Sequence, residues 1–410
     1  MSIEDRIRER VLAELDLTEN LSDVQILEEI RREICLEGKR CALSYDRRKE
    51  LERHIFHSLR RLDILQDFLE DEDITEIMVN GPSCIFLERQ GRIERSKRQF
   101  YSAEKLQDVI QQIASTQNQI ISETNPILDT RIPEFGARVN IVMSPIAIGS
   151  PVLTIRKFPR EPITMERLLE YGSLSVEMEE FLRDAVYAGY NIFISGETSS
   201  GKTTFLNALT EFIPSDARVI TIEDSAELQV RGIENLVRME SRNKTMEGKL
   251  EVTIRDLVKS SLRMRPDRII VGECRGGEAL EMLSAMNTGH DGSLSTGHAN
   301  SAKDMISRLE TMCLMAMDLP IPAVRQQIAS AIDLFVHLGR LRDRKRRVLE
   351  IAEVVGMENG EVKLHSLYEY EGGEKGWRQV GRLERLQKME RAGIDLTKKN
   401  YEIDPAKRTY

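Results

Sequence analysis

No run of 18 or more apolar residues occurs anywhere in the 410-residue chain. A bilayer-spanning helix needs about 18 to 20 such positions, so no membrane-crossing segment is expected. The opening "MSIEDRIRERVLAELDL" lacks the apolar centre and small-residue cleavage site of a secretory signal, and a cytoplasmic protein is expected. Positive charge is also short: the formal net charge is -9 and the pI near 5.5. That balance, with no basic track studded with aromatics, argues against a general nucleic-acid binder. The five cysteines (Cys35, Cys41, Cys84, Cys274, Cys313) are odd in number and widely scattered, without the paired spacing of a zinc site or a disulfide framework. Buried or inert thiols are expected. No internal repeat or low-complexity tract is present.

What is present is charge at 31% alternating with apolar residues at 40%, in a chain long enough for two or three domains. The first stretch has helical spacing: Ile3, Ile7, Val11 and Leu15; Val24, Leu27, Ile30 and Ile34; Leu51, Ile55, Leu59 and Leu62. These predict an amphipathic helical bundle over residues 1–72, with Ser22 and Gln25 as a capping box, its stripes buried on one another or on a neighbouring subunit. Such stripes also suggest docking to a membrane or to a partner protein. After residue 72 the period drops to two around Asn80-Gly81 and Gln90-Gly91, predicting hairpins and a small α/β module over 73–158. Pro159 and Pro162 break regularity, and a linker is expected over 159–174.

From 175 to 356 strands and helices alternate, predicting an α/β domain with a mainly parallel sheet covered by helices. Residues 357–410 are expected to form a hairpin end, turning at Asn359-Gly360, and a charged tail carrying the single tryptophan, Trp377. A basic cluster, "RLRDRKRR" from Arg340 to Arg347, reads best as a solvated hairpin tip, with contact to an anionic partner as the alternative.

Within the third segment "NIFIS" is followed by "GETSSGKTT" and a helical pattern. A strand, then G-x-x-x-x-G-K-[ST], then a helix places successive backbone N–H groups in a nest at a helix N-terminus, where phosphates bind. The candidate binding residues are Gly196, Glu197, Thr198, Ser199, Ser200, Gly201, Lys202, Thr203 and Thr204. Lys202 offsets charge on the β and γ phosphates of ATP, and Thr203 is the candidate ligand for Mg²⁺. Glu273 ends the apolar strand "RIIVG" and so projects from the carboxyl edge of the sheet, where it can orient water or hold the metal through water. Glu223 and Asp224 end "VITI" in the same way, with Glu223 a further candidate for Mg²⁺. His290 and His298, each following a glycine in "NTGHDGSLSTGHANSA", are candidates for a polar sensor beside the γ-phosphate.

"GETSSGKTT", "TIEDSAEL", "RPDRIIVGECRGGEA" and "TGHDGSLSTGHANSA" stand in the order of the Walker A, Asp box, Walker B and His box of type II/IV secretion ATPases, which the chain resembles over about residues 45–370. "ITEIMVNGP", "ARVNIVMSPIAIGSPVLTIRKF" and "VVGMENG" are similar to the CpaF-type ATPase of tight-adherence (Flp/Tad) pilus systems. The resemblance implies a RecA-like P-loop domain after a PAS-like α/β domain. It further implies a homo-hexameric ring at the inner face of the cytoplasmic membrane, working with pilus or secretion platform proteins and handling pilin or a secreted protein indirectly. Lys202 and Thr203 match the phosphate and Mg²⁺ positions, Glu273 the Walker B glutamate, Glu223 the Asp box acid and His298 the His box. Arg138 and Arg156 match arginines that reach the γ-phosphate in the family. The Walker B strand ends in Gly272-Glu273 rather than aspartate, and Ser225 stands where many relatives carry proline.

Other classes compete. A nucleotide-gated binding module would share the loop but turn over slowly. A RecA-type DNA motor fits poorly with the acidic balance. A GTPase is weaker still, because "RNKTM" carries Met246 where a guanine-reading aspartate is needed.

Overall fold

The computed structural model describes residues 3–15, 21–89, 91–158, 161–242 and 251–396. Pro159, the Asn-Lys pair of "RNKTM" and the last residues of the tail lie outside these. Two compact units divide the chain, Met1–Arg160 and Glu161–Tyr410.

The first unit opens with α1 (Ile3–Glu14), α2 (Asp23–Gly38), α3 (Tyr45–Arg60) and α4 (Ile64–Glu70). Ser22 caps α2 in the expected reciprocal box with Gln25. The stripes of the first three close on one another through Ile7, Val11, Ile30, Ile34, Leu51 and Ile55. Val24 departs from the predicted stripe: it is 64% exposed, and Ile26 takes the inward position. Because the stripes are consumed internally, amphipathicity alone no longer argues for an external partner. Helix α4 belongs elsewhere, since Ile64, Leu65, Phe68 and Leu69 pack into the core of the following sheet. The expected boundary at residue 72 therefore falls after a helix that is already part of the α/β module.

That module contains β1 (Ile74–Asn80), β2 (Ile85–Arg89), β3 (Arg92–Arg95), α5 (Ala103–Thr116), β4 (Ile127–Ile132), β5 (Ala137–Val142) and β6 (Val152–Lys157). The strands form one antiparallel sheet in the order β3-β2-β1-β6-β5-β4, with the predicted turns at Asn80-Gly81 and Gly91. Alternation in β5 puts Ala137, Val139 and Ile141 in the core and leaves Arg138 half-buried on the other face. Arg138 is directly opposite Arg156 of β6.

The second unit runs α6 (Met165–Glu170), α7 (Val176–Tyr187), β7 (Ile192–Gly196), α8 (Lys202–Leu209), β8 (Val219–Glu223), β9 (Leu236–Glu240), α9 (Ile254–Ser261), β10 (Arg268–Val271), α10 (Glu278–Asn287), β11 (Leu294–His298), α11 (Ala302–Ala316) and α12 (Ile321–Ala331). It ends with β12 (Leu334–Arg340), β13 (Arg346–Glu358), β14 (Glu361–Gly372), β15 (Gly376–Gln379) and α13 (Gln387–Arg391). One nine-stranded sheet results, in the order β15-β14-β13-β12-β7-β11-β10-β8-β9. From β12 to β9 every pairing is parallel, whereas β13, β14 and β15 add antiparallel strands, so the sheet is mixed. Two apolar layers cover its faces, one built on α7 and α8 and the other on α10, α11 and α12.

Two further boundaries move. Residues 165–170, inside the expected linker, are helix α6, and its Met165 and Leu168 join the core of the second unit. The expected end at residue 356 falls within β13, and the segment beyond it docks rather than trailing: Met389 and Leu383 are buried against the same core. Cys274 and Cys313 are buried, and burial raises their thiol pKa values to about 12 and about 11, while Cys35 is exposed. Among the described residues no helix is long and apolar enough to cross a membrane.

Docking of the C-terminal segment has a direct consequence for stability. Met389 is fully buried, and truncating a buried methionine to alanine costs about 2 to 5 kcal/mol. Met389→Ala should lower the denaturant midpoint of the second unit's unfolding transition while leaving the far-UV spectrum unchanged; an unaltered midpoint would show that the segment is not part of this core.

Candidate functional site

The site begins where β7, buried on both faces, ends at Gly196. A Cβ there would lie 2.5 Å from the Leu338 carbonyl oxygen and 2.6 Å from Ser200 Oγ, so only glycine passes between β12 and the following loop. Residues 197–201 turn back, and Gly201, with φ +92°, starts α8 without any side-chain cap. The first-turn N–H groups of α8 thus face a concave nest. Within it Glu197, Thr198 and Ser199 are exposed, Thr203 and Thr204 half-buried, and Ser200 buried. Ser200 Oγ has no hydrogen-bond partner among the described residues.

Lys202 is 7% exposed and curls over the loop. Its ammonium donates to the carbonyls of Glu197 at 2.8 Å and Gly196 at 3.1 Å, and stands 3.2 Å from Nδ1 of His298. An ammonium has no lone pair, so Nδ1 is the acceptor and the proton of a neutral ring sits on Nε2. Nε2 in turn lies 2.9 Å from Glu273 Oε1. Burial, and then the neighbouring Lys202, hold the His298 pKa below its ordinary value against the opposing pull of Glu273. The other Glu273 oxygen, Oε2, accepts from Arg275 at 2.8 Å.

Strand register explains this meeting. His298 of β11 is paired with Gly196 of β7, and β10, whose end precedes Glu273, is the next parallel neighbour. Thr296 Oγ1 also donates to the Gly272 carbonyl at 2.7 Å, tying the two strand ends together. Adjacent parallel strands therefore deliver Lys202, His298 and Glu273 to one edge, the edge at which open α/β sheets bind ligands.

The remaining candidates are placed differently. Glu223 is buried, and its Oε2 accepts from the backbone N–H groups of Glu227 at 2.8 Å and Leu228 at 2.9 Å. Burial pushes its pKa up to about 7, although both of those N–H groups favour the charged form. Its Cγ lies against Gly272, where an added Cβ would approach to 3.0 Å. Asp224 accepts from Ser241 Oγ at 2.7 Å. His290 does not join the site. It precedes β11 and its Nδ1 stands 3.2 Å from the Ala285 carbonyl, whereas His298 ends β11; a strand of this length separates the two edges by about 16 Å. Arg138 and Arg156 belong to the first unit.

Two contributors had not been singled out from sequence. Arg275 follows Glu273 closely in "GECRGG", but nothing in the spacing says that it turns back to the carboxylate. His337, in the apolar strand β12, stands 3.0 Å from Ser195 Oγ beneath the loop, and only the β7–β12 register reveals it.

The donor set fits a nucleoside triphosphate. A buried ammonium, an orphaned hydroxyl at Ser200 and a cradle that Cβ atoms at Gly196 or Gly201 would crowd are what a phosphate chain requires. A family model described as type II/IV secretion system protein matches residues 59–399. The chain belongs to this family. Type IV secretion system protein PtlH of Bordetella pertussis is 33% identical, with 71% of this chain and 93% of PtlH covered. A putative conjugal transfer protein of Mycobacterium tuberculosis is 30% identical, with 76% of this chain and 89% of that protein covered. The crystal structure of the Legionella pneumophila ATPase DotB matches with a TM-score of 0.51 at 24% identity, over 72% of this chain and 80% of DotB, and shares the fold of this secretion-family member.

The Glu223 pKa carries a pH signature. Its folded value, about 7, lies above the 4.5 of an unperturbed glutamate. The native state therefore binds more protons than the unfolded chain between those values, and stability falls as pH rises through that window. In nucleotide-free protein the unfolding midpoint should decline from pH 5 to 7.5, and Glu223→Gln should flatten the decline by about 2 to 3 kcal/mol. Identical pH profiles for the two proteins would count against the protonated carboxyl.

Proposed function

We propose that this secretion-family protein is a Mg²⁺-dependent ATPase. In this reading it works as a homo-hexameric ring at the inner face of the cytoplasmic membrane and powers pilus assembly or protein secretion of the Flp/Tad type. One observation carries the hydrolytic part: His298 bridges the Lys202 ammonium and the Glu273 carboxylate, linking the phosphate-binding loop to the tip of the neighbouring strand. A bare phosphate nest has no need of such a bridge. The motif order, the family match and the names of relatives, which work in type IV secretion and conjugal transfer, support the motor role.

In this reading the N–H groups of 197–203 and Lys202 would take the β and γ phosphates, and Thr203 would hold Mg²⁺, with Glu223 a further candidate for the ion. The metal supplies charge neutralisation on the phosphate oxygens. A phosphate competing for the Lys202 ammonium draws it from His298 Nδ1. The ring stays neutral, its Nε2 within 2.9 Å of Glu273 Oε1, while Arg275 holds the other oxygen, Oε2. A carboxylate held through Oε2, with Oε1 lacking a hydrogen-bond partner among the described residues, has one oxygen available to orient the attacking water. Arg138 and Arg156, adjacent on paired strands of the other unit, are assigned the charge that develops on the transferring phosphoryl group.

Glu273→Gln should retain ATP binding within about threefold and lose at least about a hundredfold in phosphate release; ordinary turnover in that variant would remove Glu273 from the reaction. Arg138→Ala and Arg156→Ala should each lower kcat by about tenfold or more with little change in nucleotide affinity. Steady-state kinetics beside equilibrium titration separates the two effects, and unchanged kcat in both variants would sink the arginine assignment.

A further inference from the structure

Six basic residues crowd the segment from Arg340 to Arg347, and the fold places them beside the phosphate loop. Strand β12 is parallel to β7 with Leu338 opposite Gly196, so the turn into β13 emerges at the same sheet edge as the loop. That turn is closed by Arg344 N–H to the Leu341 carbonyl and Leu341 N–H to the Lys345 carbonyl, both at 2.9 Å. Successive strand residues point to opposite faces. Arg347 goes one way, to Asp343 at 3.1 Å and over the Tyr370 ring. Arg346 goes the other way, and its Nε donates to the Ser199 carbonyl at 2.9 Å. Its Cδ also lies against Gly201, where an added Cβ would come within 3.2 Å.

The loop has a reason to need this contact. Residues 197–200 form a turn closed by Ser200 N–H to the Glu197 carbonyl at a long 3.3 Å, and the third residue, Ser199, has φ +62°. That conformation is natural for glycine and disfavoured for serine. Left to itself, a serine here draws the loop toward other conformations, and an outside donor on its carbonyl selects this one. We propose that Arg346 is a positioning residue that holds the phosphate loop in its receiving turn, making the β12–β13 hairpin part of the nucleotide site. The inference rests on the nucleotide reading of the loop; residues 342–346 are exposed, as expected of a solvated tip, and Arg346 adds a contact to the loop from within it.

The test compares Arg346→Ala, Arg346→Lys, Arg342→Ala and the double change Arg346→Ala with Ser199→Gly. In nucleotide-free protein, amide exchange across 197–201 should speed up in Arg346→Ala and in no other single variant to the same degree. The Kd for ADP should rise about tenfold, as expected if the competent turn falls to about a tenth of the population, with KM for ATP rising in step and kcat changing far less. Ser199→Gly, which removes the cost of positive φ, should restore most of the lost affinity. Arg342→Ala, which deletes a tip charge without touching the loop, should bind ADP as the unaltered protein does, and Arg346→Lys should fall between. Wild-type affinity and exchange in Arg346→Ala, failure of glycine to rescue, or an equal loss in Arg342→Ala would each overturn the inference. Absence of ADP binding by the unaltered protein would instead overturn the nucleotide reading on which it stands.

Discussion

A positive charge kept inside the fold is the constraint around which the second unit is organised. Removing an ammonium from water costs several kcal/mol unless polar groups replace the lost solvent. Lys202 meets this with two loop carbonyls and the imidazole of His298. Each acceptor fixes something else: the carbonyls of Gly196 and Glu197 hold the loop closed over the lysine stem, and the imidazole requires β11 to end level with β7. Shift β11 by a single residue and His298 would point to the opposite face of the sheet. The register of the central strands and the electrostatics of the loop therefore specify each other.

The opposite edge of the same sheet handles charge in another way. Asp333, buried before β12, accepts from Asn191 N–H at 2.8 Å and meets Lys388 at 2.7 Å, while buried Glu353 accepts from the backbone N–H groups of Glu384 and Arg385, each at 2.8 Å. There the buried carboxylates are quenched by the C-terminal segment, and the outcome is a docked chain end rather than a binding site. This is why residues 383–396 pack as part of the unit although their composition reads as a charged tail.

Local signals carried much of this architecture. The change of period after residue 72, the glycine turns, the cap at Ser22, and the strand-loop-helix run around "GETSSGKTT" all depend on neighbours in sequence. What escaped depends on neighbours in space. Helix α4 looks like the end of a bundle until the sheet it covers is known, α6 looks like linker because it is short, and the mixed character of the sheet follows from where β13 to β15 attach. The site divides in the same way. Lys202, Glu273 and His298 were legible because motif and strand end coincide, whereas His290 was misjudged because two similar Gly-His steps flank one strand and a strand carries its two ends to opposite edges. His337 could be found only from a contact across strands, and Arg275 only from the turn that brings it back to Glu273 two residues earlier.

The interposed imidazole also answers why lysine and glutamate are not simply paired. A direct ion pair at this depth would gain Coulomb energy, but it would fix both charges on each other and leave the nest with little net field for an anion. With a neutral ring between them, Lys202 and Glu273 each lie close to one imidazole nitrogen, at 3.2 Å and 2.9 Å, while each keeps its charge available at its own end. Burial and the adjacent ammonium both favour that neutral state, so the bridge is maintained by the same desolvation that makes the lysine costly. A substitute at position 298 would have to be a neutral group with an acceptor toward Lys202, filling the span of a five-membered ring up to Glu273. Glutamine and asparagine offer that acceptor at a different span, which makes ring geometry, rather than charge, the property that histidine contributes here.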